Sequence, residues 1–125
     1  YPLVTGVQTC ALPICLMREG YITGFRAELD PVKLGRGLLV FVEILLDRTS
    51  PDVFGAFATQ VKRASEVLEC HMVAGGFDYL VKSRVRDMAA YRRFLAEVIL
   101  PLPGVRETRT YAVMEEVKVT DALPL

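Results

Sequence analysis

The run Leu38–Leu46 restricts the possible folds of this chain more than any other segment. Its sequence, L-L-V-F-V-E-I-L-L, is apolar at both odd and even positions and is rich in β-branched and aromatic residues. Successive side chains of a strand point to opposite faces, so this pattern predicts a strand that is covered on both sides. The chain must therefore supply packing partners for two faces of one strand.

A helix is expected directly after this strand. Ser50 provides an N-cap, Pro51 suits the first helical position, and Asp52 places an acid in the first turn. Apolar residues then repeat at helical spacing, at Val53, Phe54, Phe57, Val61 and Ala64. We predict an amphipathic helix that ends near Ser65.

The rest of the chain predicts a hairpin, a second helix and a last strand. The pair Gly75-Gly76 is the strongest hairpin signal in the sequence, and it separates the predicted strands Val67–Ala74 and Phe77–Val85. Asp87 is placed to cap the second helix, which the Pro- and Gly-rich segment 101–104 stops. A long last strand is predicted at Val105–Val119.

The resulting order, βαββαβ, is typical of the ferredoxin-like α+β fold, in which an antiparallel sheet carries two helices on one face. Because the first strand is apolar on both sides, two helices leave a large apolar surface on the other face. We therefore expect an isologous dimer in which sheet packs against sheet.

Composition excludes several classes of function. The 15 basic and 15 acidic residues cancel, so the chain as a whole shows no electrostatic footprint for nucleic acid. The three cysteines fit no zinc spacing, which argues against a structural metal and for a reducing compartment. No cofactor motif is present in the sequence. The reducing compartment makes the cytoplasm the default expectation. Glu43 interrupts the longest apolar run, so we expect no membrane-spanning segment.

The first residues do not fit the pattern of the rest. Residues 1–14 show no helical or strand period, and they resemble translated adapter sequence, so we interpret them as a non-native leader; the alternative is a native, irregular segment. Arg18-Glu19-Gly20 has the composition of a helix end, and a strand is expected at Tyr21–Leu29. The domain proper is expected to begin near Arg36.

Four segments together resemble the leucine-responsive regulatory protein (Lrp/AsnC) family, although each alone is a weak signal. The resemblance runs from about Leu16 to Val119. It is carried by L-L-V-F-V-E-I (Leu38–Ile44), E-C-H-M-V-A-G-G-F-D-Y-L (Glu69–Leu80), L-P-G-V-R-E-T-R-T-Y (Leu102–Tyr111) and V-M-E-E-V-K (Val113–Lys118). In this order and spacing the segments are highly specific.

The resemblance implies a bacterial or archaeal transcription regulator with an N-terminal winged helix-turn-helix and a C-terminal effector domain. Such proteins form homodimers and often octamers, with small amino acids bound between effector domains. Residues 15–35 are similar to the end of the winged helix and its linker, 36–119 to the effector-binding and oligomerisation domain, and 120–125 form a tail. The DNA-reading helix would precede residue 15, so we expect this chain to contact DNA poorly without it.

The turn Gly75–Tyr79 resembles the family's effector-binding loop, G-x-F-D-Y. Its residues, Gly75, Gly76, Phe77, Asp78 and Tyr79, suit a zwitterion, because glycines free backbone amides for a carboxylate and an acid can meet an ammonium group. The alternative is an ordinary hairpin in which Asp78 satisfies turn amides. The resemblance adds pocket and interface positions at Met88, Leu100, Tyr111, Ala112 and Val113, which could equally be core residues. His71 is interpreted as structural, and Glu115-Glu116 as solvated charges.

The sequence therefore favours a sensing and assembly domain and not an enzyme, with a leucine-like amino acid as effector. Two alternatives remain open. The chain could be a stand-alone effector domain that modulates a full-length partner, or a small ferredoxin-like enzyme with its site at a dimer interface.

Overall fold

A computed structural model describes residues 12–49 and 51–125. In that part of the chain the elements are α1 (Leu12–Arg18), β1 (Leu38–Leu46), α2 (Val53–Arg63), β2 (Val67–Met72), β3 (Tyr79–Val85), α3 (Met88–Phe94) with a π-helical continuation (Leu95–Ile99), and β4 (Val105–Ala112). The described residues up to Leu29 together with Lys118–Leu125 form one compact unit, and Asp30–Val117 form the other. None of the described helices is long and apolar enough to cross a bilayer.

The strands of the larger unit form one antiparallel sheet in the order β2-β3-β1-β4. In the middle of the sheet, Val42 of β1 lies opposite Val81 of β3 on one side and Thr110 of β4 on the other. This is the ferredoxin-like arrangement, so the predicted α+β fold and its βαββαβ order are confirmed.

Both helices of this unit cover the same face of the sheet. Their buried side chains join one apolar cluster with alternate residues of the central strands; its members include Val40, Val42, Ile44, Val53, Phe57, Val61, Val81, Tyr91, Phe94 and Ile99. Phe57 is fully buried, and its ring stacks on Tyr79 with centroids 4.4 Å apart. Burial of a side chain of this size contributes roughly 1.5–3 kcal/mol, so α2 is held mainly by its inward stripe.

The other face of the sheet, which we call the open face, carries no helix of this unit. Leu39, Phe41, Glu43 and Leu45 of β1 lie on it, with Glu43 opposite Leu80 of β3; Leu39 is buried, and the others are half-buried. Further charged residues lie on either side of β1 and form ion pairs, namely Lys82 with Glu69 at 2.9 Å, Arg84 with Glu116 at 2.9 Å, and Arg109 with Glu107 at 3.6 Å. The apolar surface is therefore narrower than the sequence predicted.

The helix starts differ in how well the sequence predicts them. The carboxylate of Asp87 accepts a hydrogen bond from the Ala90 amide at 2.8 Å, so the predicted cap of α3 is confirmed. Helix α2 begins at Val53, with Asp52 at its N-cap and no side-chain cap bond, so Pro51 and Asp52 precede the helix. The predicted cap residue, Ser50, lies outside the described residues.

Two predictions about strands are wrong: one strand is shorter than predicted, and another is not formed. Strand β4 ends at Ala112 and not at Val119: Ala112 lies opposite Val40, and the amide of Val113 still donates to the carbonyl of Leu39, one residue from the start of β1. The segment Tyr21–Leu29 has no assigned strand. Helix α1 does end at Arg18, and Gly20 follows with φ +83°, as its sequence indicated.

Candidate functional site

The β2–β3 turn, residues 73–78, is the predicted effector loop. It is longer than the tight two-residue turn expected from Gly75-Gly76, because the strands stop at Met72 and Tyr79. The amide of Val73 donates to the carbonyl of Asp78 at 3.0 Å and closes the turn. Gly75 has φ +158°, and a Cβ added at either glycine would meet no atom within 4 Å. The tip of the turn is thus exposed and open.

Asp78 links this turn to the end of β1 through hydrogen bonds. Its side chain is 4% exposed, and one carboxylate oxygen accepts the Leu46 amide at 2.9 Å. The other oxygen forms an ion pair with the Arg48 guanidinium, and the Asp78 amide donates to the Ile44 carbonyl at 3.0 Å. Burial alone would raise the pKa of Asp78, but the Leu46 amide and the Arg48 charge lower it below its ordinary value.

Arg48 is a candidate site residue that the sequence did not reveal. It lies in the connection between β1 and α2, and its guanidinium sits 5.6 Å from the centroid of the Phe54 ring. Its side chain is 65% exposed, although its partner Asp78 is buried. The two residues are 30 positions apart, so only the sheet brings them together. A lone arginine in a polar connector gave no signal of this role.

Phe77 and Tyr79 point to opposite sides of the sheet. Tyr79 is buried beneath α2, and burial, with smaller effects of Cys70 and Asp78, raises its pKa. Phe77 is half-buried and lines a shallow cavity of about 110 Å³ at the open face, whose other lining residues are Glu43, Leu45, Gly76, Glu107 and Arg109. Of the predicted residues in the turn, Tyr79 is thus part of the core, whereas Gly75, Gly76 and Phe77 are accessible.

The remaining predicted residues do not gather around the turn. Leu100 follows the π-helical segment and is 53% exposed, near the end of the sheet where β1 stops. Met88 begins α3 and Ala112 ends β4, at the opposite end of the sheet, and Val113 follows Ala112. Tyr111 lies between these ends, opposite Phe41 on the open face. One subunit therefore holds two separate groups of candidate residues.

His71 and Cys70, whose side chains could take part in chemistry, have environments that give no sign of a catalytic role. His71 is exposed, with its Nε2 3.1 Å from Glu69, and Lys82, together with His71, lowers the pKa of Glu69. Burial raises the pKa of the half-buried Cys70 thiol. In residues 12–49 and 51–125, no group of three or more His, Cys, Asp or Glu side chains could hold a metal ion.

The fold is that of a small α+β module, an antiparallel sheet with helices on one face and an open glycine turn between two of its strands. A sequence profile of the Lrp/AsnC ligand binding domain matches residues 39–123. The chain belongs to the Lrp/AsnC family, as its four sequence signatures indicated.

Two named relatives support the family assignment. The leucine-responsive regulatory proteins of Escherichia coli K12 and Serratia marcescens are each 56% identical over 108 residues, which is 86% of this chain and 66% of theirs. The chain therefore spans slightly less than two thirds of their length.

Solved structures show the same fold. A Neisseria meningitidis transcriptional regulator, in complex with L-methionine, superposes with a TM-score of 0.84 and 29% identity, over 90% of this chain and 73% of that one. An AsnC family transcriptional regulator from Agrobacterium tumefaciens gives a TM-score of 0.82 and 32% identity with the same coverage.

Proposed function

We propose that residues 36–119 are the effector-binding and oligomerisation domain of an amino-acid-responsive transcription regulator, and that the effector is a small, leucine-like amino acid. Support comes from the leucine-responsive relatives and from the Neisseria regulator's complex with L-methionine. These relatives are regulators, which favours sensing over catalysis. DNA contact would come from a winged helix-turn-helix, to which residues 15–35 contribute little, and the regulator would act in the cytoplasm.

The domain assembles, in this proposal, through its open face. Phe41 and Leu45 are half-buried on the central strand, with Glu43 between them, and the ion-paired side chains lie on the neighbouring strands or beyond them. Two copies related by a two-fold axis would cover each other's Phe41 and Leu45 and leave the ion-paired charges at the rim, as in isologous interfaces generally. Larger assemblies, up to an octamer, would then use other surfaces of the dimer.

The main support for the binding proposal is that the candidate residues of one subunit form two separate groups. The β2–β3 turn with Leu100 and the group Met88, Ala112 and Val113 lie at opposite ends of the sheet. Apart from the buried Asp78, the residues of each group are exposed or half-exposed, and each group offers only part of a pocket wall. A second subunit that brings one group against the other would complete a site, so ligand binding and assembly would be linked.

Calorimetric titration with a panel of amino acids, followed in parallel by light scattering, tests this function. We expect heat on addition of leucine or a similar aliphatic amino acid, together with a change in mean mass. D-leucine is the matched control, because it has the same composition but the wrong stereochemistry. If no amino acid produced heat or a change in mass, the sensing function would be wrong.

A further inference from the structure

The β2–β3 turn contains one acid, yet the carboxylate of that acid is fully engaged within the chain. Both oxygens of Asp78 are bonded, one to the Leu46 amide and one to Arg48, and the residue is 4% exposed. A ligand ammonium could reach Asp78 only by displacing these partners from a buried position. Asp78 is therefore poorly placed to contact an effector directly.

We propose that Arg48 is the charged residue of this site that meets the effector, that it binds the α-carboxylate of the amino acid, and that Asp78 is a positioning residue which holds the guanidinium beside the turn. This inference rests on the amino-acid binding proposed above. It also reverses the electrostatic role that the sequence suggested for the turn, from an acid that receives an ammonium group to a cation that receives a carboxylate.

The geometry of Arg48 suits this role. A guanidinium carries five N–H donors in a planar fork, and the ion pair with Asp78 leaves others free. With 65% of its side chain exposed, Arg48 presents those donors to solvent. The Asp78 carboxylate on one side and the Phe54 ring on another restrict its orientation. A guanidinium held in this way loses little further freedom when it binds a carboxylate in two-point fashion.

The glycines of the turn complement the arginine. The described hydrogen bonds leave the amides of Gly75 and Gly76 without a partner in the chain, and space is open around both residues. Gly75 and Gly76 precede Asp78, the partner of Arg48, in the same turn, and exposed backbone amides of this kind can bind anions.

The test compares leucine with leucinamide, which keeps the ammonium group and side chain but lacks the carboxylate charge. The affinity ratio of these two ligands is measured by calorimetry for the wild-type chain and for Arg48→Gln, Arg48→Lys and Asp78→Asn. We expect Arg48→Gln to weaken leucine binding roughly 10- to 100-fold, the range for a lost charge-assisted hydrogen bond. Leucinamide binding should stay within about twofold of wild type, so the ratio falls toward one.

The other variants separate positioning from contact. Arg48→Lys keeps the charge but not the fork, so part of the ratio should return. Asp78→Asn keeps the acceptor for the Leu46 amide but loses the charge that orients Arg48, so the ratio should fall by less than in Arg48→Gln. Arg106→Gln, at an exposed arginine of β4, is the matched control and should leave the ratio unchanged.

Each outcome has a distinct meaning. If the wild-type chain binds no amino acid, the proposed function itself fails. If it binds leucine but Arg48→Gln keeps the wild-type ratio, the inference about Arg48 alone is overturned. Equal weakening of leucine and leucinamide would also overturn it, because that is the result expected of a residue that only supports the fold.

Discussion

Replacing Asp78 with alanine should destabilise the domain by about 2–3 kcal/mol at neutral pH. The largest part comes from the Leu46 amide, which would lose a buried acceptor at 2.9 Å; an unsatisfied buried donor costs about 1–3 kcal/mol. The ion pair with Arg48 adds at most about 1 kcal/mol, because the arginine is largely exposed and water screens the pair. Urea unfolding followed by circular dichroism measures the sum.

The effect should depend on pH in a defined direction. The pKa of Asp78 is lowered below its ordinary value of 3.8, so its contribution to stability is complete above that value. That contribution is lost as the pH falls through the lowered pKa and the folded carboxylate takes up a proton. The free-energy difference between wild type and Asp78→Ala should therefore be full at pH 7 and smaller at pH 3.

Asp52→Ala is the matched control for this experiment. Asp52 is an exposed acid at the start of α2 whose side chain makes no cap bond, so its loss should change the free energy of unfolding by less than about 0.5 kcal/mol. The reasoning about Asp78 would be refuted by an unchanged urea midpoint at pH 7. A destabilisation that persisted undiminished at pH 3 would refute the electrostatic part of it.

Two further substitutions test the packing and the assembly. Gly104→Ala should cost about 2–4 kcal/mol in urea unfolding, because Gly104 has φ +76° and a Cβ there would collide with Val53; Gly76→Ala, in open space, should cost under about 1 kcal/mol. Phe41→Glu should yield monomers in sedimentation velocity without loss of helical signal, whereas Gln60→Glu on an exposed helix position should leave the assembly intact. A stable dimer of the Phe41 variant would argue against pairing through the open face.

The parts of the fold that the sequence predicted well are those encoded by neighbouring residues. The double-faced apolar run at Leu38–Leu46 matches β1 residue for residue, and the cap at Asp87 places the start of α3 correctly. The last strand shows the limit of such reasoning. Alternation continues to Val119, but a strand needs a neighbour for its backbone, and the last paired residue of β4, Ala112, lies opposite Val40, only two residues from the start of β1.

The candidate site was less accessible to sequence reasoning. The turn at Gly75–Tyr79 was recognisable because glycines and a family motif occur together in it. The partner of Asp78 was not, since Arg48 lies in another connection and only strand pairing places the two side chains together. Alternation along a strand predicts that the side chains of Phe77 and Tyr79 share a face of the sheet. They do not, because pairing of β3 begins at Tyr79 and Phe77 still belongs to the turn.

The π-helical segment at the end of α3 means that one turn holds a residue more than an α-helix would. The Leu100 amide reaches back to the Leu95 carbonyl at 2.9 Å, five residues earlier. A turn of this kind accommodates one extra residue, so deleting one residue here, for example Ala96, would let the segment close into an ordinary α-helical turn in which the later side chains keep their directions. Ile99 would then stay in the core and Leu100 would stay exposed. A change of one residue in chain length can thus be absorbed inside this helix, without altering the core beneath α3 or the start of β4.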